Sequence, residues 1–204
     1  MNCLTLAHMA ARTHSVDPRA ERVRSRLREA AFALAHERPV DELTVGDIVV
    51  RAEVSRQVFY QHFRDRDDAV ATAFTVAFAA ATADIGGDAR ARILRLFAFA
   101  AEHRSMYRNV VPSAVTQRVV TAFRAELQPA CEEIAKHGMP VVSPIASLTP
   151  ESVTRFLVGG FMEVLRAWME DPDSTDLSGR ASAALDTVNA LLGLTTHSKG
   201  PQHG

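Results

Sequence analysis

The sequence predicts an all-α protein of about nine helices, and three observations point there. Apolar residues make up 47% of the 204 residues while aromatics make up only 6%, enough to build a core without the aromatic and β-branched runs that strands favour. Apolar residues recur three and four apart through most of the chain. N-cap residues punctuate it at Asp17-Pro18, Thr44, Ser55, Asp65, Asp88 and Thr149-Pro150, two of them followed by Pro.

The first helix opens at Asp17-Pro18, carries Val23, Leu27, Ala30, Ala31 and Leu34 on its inner face, and stops at Pro39. A short second helix starts at Thr44, with Asp47 completing a variant capping box and Val45, Ile48 and Val49 facing inward. A third follows the turn before Ser55, with Val58, Phe59 and Phe63 about one turn apart. The fourth is expected from near Asp65 to about Ala83, with Val70, Phe74 and Phe78 inward, and Ile85-Gly86-Gly87 ends it. Asp88 caps a fifth through His103, and a short piece covers Met106 to Val110. A long helix is expected from Pro112-Ser113 to Lys136, kinked at Pro129 and closed by His137-Gly138, with Met139–Pro150 as a loop. The last two run from Pro150 to Glu170 and from Leu177 to Leu194. Residues 1–16 and 195–204 read as flexible tails.

Charge and cysteine usage bound the function. The net charge is −1, so the chain as a whole does not attract polyanions, yet residues 1–66 carry +2 and residues 67–204 carry −3. Five arginines, Arg19, Arg22, Arg24, Arg26 and Arg28, crowd the first helix. Cations near a helix N-terminus oppose the macrodipole, so helix stability does not explain them; a solvated face or a polyanionic partner does. Cys3 and Cys131 form neither a disulfide framework nor a zinc motif, which suits a reducing cytoplasm. No run of residues is apolar enough for a membrane span, and MNCLTLAHMA lacks a signal-peptide pattern. No phosphate-binding glycine loop, nucleophile elbow or His-Glu-x-x-His motif supports an enzyme, and no cofactor or metal is expected.

The chemistry concentrates in RAEVSRQVFYQHF, residues 51–63. Three helices in fewer than fifty residues, two of them joined by a tight turn, form a helix-turn-helix pattern, with one side of the third helix free for the major groove. On that side stand Ser55, Arg56, Gln57 and Gln61. Arg and Gln can contact guanine and adenine edges bidentately. Tyr60 and His62 can reach phosphates, as can Thr44 at the start of the second helix.

The signature Leu27-x-x-Ala30-Ala31, Thr44-Val45-x-Asp47-Ile48 and Ala52-x-Val54-Ser55-Arg56-x-x-Phe59-Tyr60-x-His62-Phe63 resembles the DNA-binding domain of the TetR family of bacterial transcriptional regulators over residues 21–81. The resemblance implies that Thr44, Tyr60, His62 and Arg66 clamp phosphates and that Ser55, Arg56 and Gln57 face bases. It implies a homodimer on a palindromic operator, released by a small-molecule effector. Two departures stand out: the family commonly has Gly where this chain has Pro39 and Glu53. Glu53 in a left-handed turn would cost about 1–2 kcal/mol.

Residues 88–194 form the expected effector-binding and dimerisation domain. Phe156 to Trp168 resembles the penultimate helix of such regulators, and its wide apolar stripe serves two surfaces. The expected dimer residues are Phe156, Gly160, Phe161, Val164, Trp168, Leu185 and Val188. The expected pocket residues are Phe74, Phe78, Phe97, His103, Tyr107, Phe123 and Phe156, an aromatic set with polar handles. A helical interaction protein or small-molecule binder of this fold without DNA binding is the alternative.

Overall fold

The computed structural model describes residues 18–83, 86–145, 147–171 and 173–194; both expected tails lie outside them. Among the described residues there are nine α-helices, one 3-10 turn and no strand. The helices are α1 (Pro18–Glu37), α2 (Val45–Ala52), α3 (Arg56–His62), α4 (Arg66–Thr82), α5 (Ala89–Glu102), α6 (Arg104–Val110), α7 (Thr116–Val142), α8 (Pro150–Glu170) and α9 (Leu177–Leu191).

Local chemistry sets most starts. The side chains of Thr44, Ser55, Asp65, Asp88, Thr149 and Asp176 each accept a hydrogen bond from a backbone N–H in the first turn of the following helix, satisfying donors that the helix itself cannot. Pro39 ends α1 differently from a glycine stop. It takes φ −52° and ψ 135° and leads into a 3-10 turn over Val40–Glu42, so no left-handed residue is needed there.

α7 departs from expectation at both ends. It starts at Thr116 because Ser113 builds a turn instead of capping: its hydroxyl donates to Val110 O, and Val115 N–H donates to it. It then continues through His137-Gly138 to Val142, where a stop and a loop were expected. Gly138 is buried, and a Cβ there would lie 2.9 Å from a Leu192 methyl. The glycine therefore serves close packing against the end of α9 and does not terminate α7. Pro129 and Pro140 are tolerated inside the helix because each stands on its exposed side, as do Ala125 and Lys136, whose carbonyls lose a partner. α9 ends at Leu191, three residues before the expected boundary.

α1 packs on α2, α4 and α6, while α5, α7, α8 and α9 pack on one another and α4 touches α5 and α7. A seam of aromatic rings joins these helices. Phe78 stacks on Phe74 and on Phe123, both at 5.4 Å between ring centres; Phe97 meets Phe123 at 5.7 Å and Phe161 at 6.0 Å. Each such pair contributes about 0.5–1.5 kcal/mol beyond the area it buries. Trp168 is buried beneath the Arg104 guanidinium, 4.3 Å from its ring, and Arg104 donates to Asp171 O and Trp168 O, pinning the end of α8 to α6.

Replacing Gly138 with Leu should destabilise the fold by about 1–3 kcal/mol through overpacking against Leu192. Adding Leu192→Ala should recover part of that loss, as read from urea denaturation midpoints.

Candidate nucleic-acid interface

α3 has one edge turned inward and one left free. Phe59 is completely buried and Phe63 nearly so, with their rings 5.8 Å apart. Away from that edge, Arg56, Gln57, Tyr60 and Gln61 are exposed, with Ser55 just before them. Tyr60 keeps 59% of its surface accessible while its ring edge rests on Phe59 at 5.3 Å. His62 is half-buried at the helix end. The expected base-reading and phosphate-reaching side chains of α3 thus lie on or beside one open face.

Thr44 stands at the N-terminus of α2. Its hydroxyl accepts from Asp47 N–H at 3.1 Å and donates to Asp47 Oδ2 at 2.7 Å, and its N–H donates to the same carboxylate at 2.8 Å. Those hydrogen bonds, with the Arg38 guanidinium at 2.9 Å, hold the Asp47 carboxyl down at about 2. Asp47 therefore stays ionised at neutral pH and keeps the capping box closed.

The turn between α2 and α3 is built on Glu53, at φ 51° and ψ 48°. It is the left-handed geometry expected of a glycine, reached here by a residue with a Cβ. Its N–H bonds Val50 O at 3.2 Å, Val54 N–H bonds Val49 O at 3.0 Å, and its carboxylate meets Arg26 at 3.1 Å. That ion pair is exposed and offsets little of the strain.

Arg66 differs from the other expected phosphate residues. Its Nη1 donates to Asp41 O and Leu43 O, both at 2.9 Å, and its Nε donates to Asp67. The side chain ties the start of α4 to the segment before α2. Among the first-helix arginines, Arg28 pairs with Glu21, Arg26 with Glu53, and Arg24 lies 5.9 Å from the Phe63 ring. Those three contacts give the crowding a structural role that spacing alone did not show.

The expected pocket residues separate. Phe74, Phe78 and Phe97 belong to the sealed aromatic seam. Tyr107 and Phe123 line a cavity of about 350 Å³ between α6, α7 and α8, with Val119, Met162, Leu165 and Met169 as apolar walls and Arg108 beside them. The Tyr107 hydroxyl is buried without a partner among the described residues, and burial pushes its pKa up. His103 lies elsewhere, at the α5–α6 junction. His36 Nδ1 faces Phe32 O at 2.9 Å and so carries the proton, leaving His36 Nε2 to accept from His103 Nδ1 at 3.0 Å. Burial, and then the neighbouring His36, push the His103 imidazole below its ordinary value. Phe156 is 75% exposed and lines no part of the cavity. Met162 and Met169 carry no pocket signal in the sequence, because an unbranched thioether in an amphipathic stripe reads as ordinary core.

The expected dimer residues also divide. Phe161, Trp168 and Leu185 are buried in this chain's own core, on the inner of the two surfaces the stripe was expected to serve. Phe156 and Gly160 lie on the exposed face of α8, and Val164 and Val188 are half-buried. The three-four spacing revealed a stripe but not which edge the chain itself would cover.

An exposed polar face on a short helix, set by a tight turn against a second helix and carried on a three-helix base, defines a helix-turn-helix protein. Residues 27–71 match the sequence model described as bacterial regulatory proteins, tetR family. No curated protein matches the chain at a significant level. Solved structures similar to it include the dihydroxyacetone kinase operon activator DhaS, at 15% identity and TM-score 0.65 over 84% of this chain and 97% of that one. Others are a putative transcriptional regulator from Pseudomonas aeruginosa PAO1 (20%, TM-score 0.55, 85% and 91%) and a tetR-family regulator from Streptomyces coelicolor (19%, TM-score 0.56, 85% and 86%). This chain therefore carries the amino-terminal domain of the tetR family on the all-α fold of such regulators. No described helix is long and apolar enough to cross a membrane.

Glu53→Gly should raise stability by about 1 kcal/mol, because glycine adopts φ 51° without the Cβ clash and only an exposed ion pair is lost. Thermal melts of both proteins at one pH measure it.

Proposed function

We propose that the protein is a homodimeric transcriptional regulator that reads a palindromic operator with α3, represses from it, and lets go when a small molecule fills the cavity between α6, α7 and α8. Residues 21–81 serve the DNA and residues 88–194 the effector and the dimer. The open polar face of α3 carries the reading: Arg56, Gln57 and Gln61 present bidentate donors and acceptors, flanked by Tyr60, His62 and Thr44 at phosphate reach. Arg66 acts behind them by holding the segment before α2 in place.

Dimerisation is supported by the outer face of α8. Gly159 and Gly160 are exposed, and a Cβ at either meets nothing within 4 Å. Two helix-weakening glycines are thus unexplained by this chain's own packing but suit the close approach of a partner helix beside Phe156. Two recognition helices related by a two-fold axis would read half-sites about 34–36 Å apart, a separation that a ligand between α6, α7 and α8 could alter. The operon activator among the structural relatives favours a second reading, activation from the same operator.

Selecting bound duplexes from genomic fragments would recover a palindrome, and a reporter beside it would separate repression from activation. Recovery of no enriched sequence would refute DNA reading.

Tyr60→Ala and His62→Ala should each weaken operator binding while leaving the dimer intact; titrations of operator duplex and sedimentation velocity check this. Gly160→Glu should leave the chain folded, because the position is open, yet convert the dimer to monomer in sedimentation velocity.

A further inference from the structure

Gly46 occupies the second position of the eight-residue helix α2, where glycine is a poor choice for helix stability. Its backbone does not call for glycine: positive φ among the described glycines is confined to Gly87 and Gly193. What a side chain there would meet is specific. A Cβ at position 46 would stand 3.0 Å from Arg56 Nη2 and 3.2 Å from Thr44 Oγ1. Thr44 does not demand the glycine, because capping boxes accept a side chain at this position. The remaining neighbour is the Arg56 guanidinium, which crosses from the start of α3 to lie over α2.

We propose that Gly46 is a specificity-determining residue: by leaving the outer face of α2 bare, it seats the Arg56 guanidinium between α2 and α3 and so sets which base pair Arg56 reads. The inference rests on the DNA-reading function proposed above and adds to it a residue that touches no base itself. The Arg56 side chain is exposed and has no hydrogen-bond or ion-pair partner among the described residues, so its place over α2 depends on the space that Gly46 leaves open. Guanidinium donors act as a rigid fork, and moving the fork changes the base edge it can meet. A Cβ at position 46 would press on Nη2, so the fork must give by a few tenths of an ångström, enough to disturb a bidentate match to one base edge.

The test uses the full chain with Gly46→Ala, Arg56→Ala and the double variant, each offered a randomised duplex pool and then titrated with the wild-type motif and an unrelated duplex. Gly46→Ala should bind the wild-type motif about tenfold more weakly and change preference at the base pairs that Arg56→Ala relaxes. Its affinity for the unrelated duplex should stay at the wild-type level. In the Arg56→Ala background the same replacement should have no further effect. Thermal melting should not fall, since alanine is the better helix former, so a loss of selectivity cannot be a loss of fold. An unchanged motif for Gly46→Ala would overturn the inference, as would an equal effect with and without Arg56. If the wild type itself enriches no sequence, the DNA-reading function fails and takes this inference with it.

Discussion

α3 is seven residues long, far below the length at which a helix holds itself together in water. The open face of α3 therefore depends on the burial of Phe59 and Phe63. The two rings are buried 5.8 Å apart along one edge of this segment, which turns the opposite edge outward. Supports converge on the same segment. Ser55 caps it, the left-handed Glu53 aims it, and Arg66 ties the following helix to the stretch before α2. The strain at Glu53 is tolerated because the surrounding hydrogen bonds and the two buried rings over-determine the turn.

The base is in turn joined to the larger helical part by a few specific contacts. The His36–His103 hydrogen bond and the Asn109 amide donating to Ala35 O connect α1 with α5 and α6. Arg118 of α7 reaches Asp68 of α4, whose carboxylate also accepts from Arg64 N–H just after α3. α6 and α7 also form two walls of the cavity. A ligand there would press on the same helices that make these links, and the aromatic seam would transmit displacement because packed rings have little compliance.

Local chemistry made much of this legible in advance. The capped starts at Thr44, Ser55, Asp65, Asp88 and Thr149 and the buried positions of α1 and α4 follow from rules acting over a few residues. The candidate DNA face was legible for the same reason, since period and polarity separate the edges of a short helix. The run of α7 past Gly138 was not. A glycine preceded by His reads as a stop unless one knows that Leu192, more than fifty residues on, packs where its side chain would be. The division of α8 into Phe161 and Trp168 inside and Phe156 and Gly160 outside failed in the same way. Both edges carry apolar or small residues, and only the positions of α7 and α9 decide which edge is covered.

The sequence by itself determined the all-α class, the helix-turn-helix and the identities of the side chains on its open face, because these rest on contacts within a turn or two. Tertiary structure decided where the cavity opens, which apolar edge of α8 stays bare, that Arg66 is held by Asp41 and Leu43, and that Arg56 lies over Gly46. Each of those outcomes depends on residues brought together from distant parts of the chain or across separate helices. No local period encodes such a meeting, because it is settled by how whole helices pack.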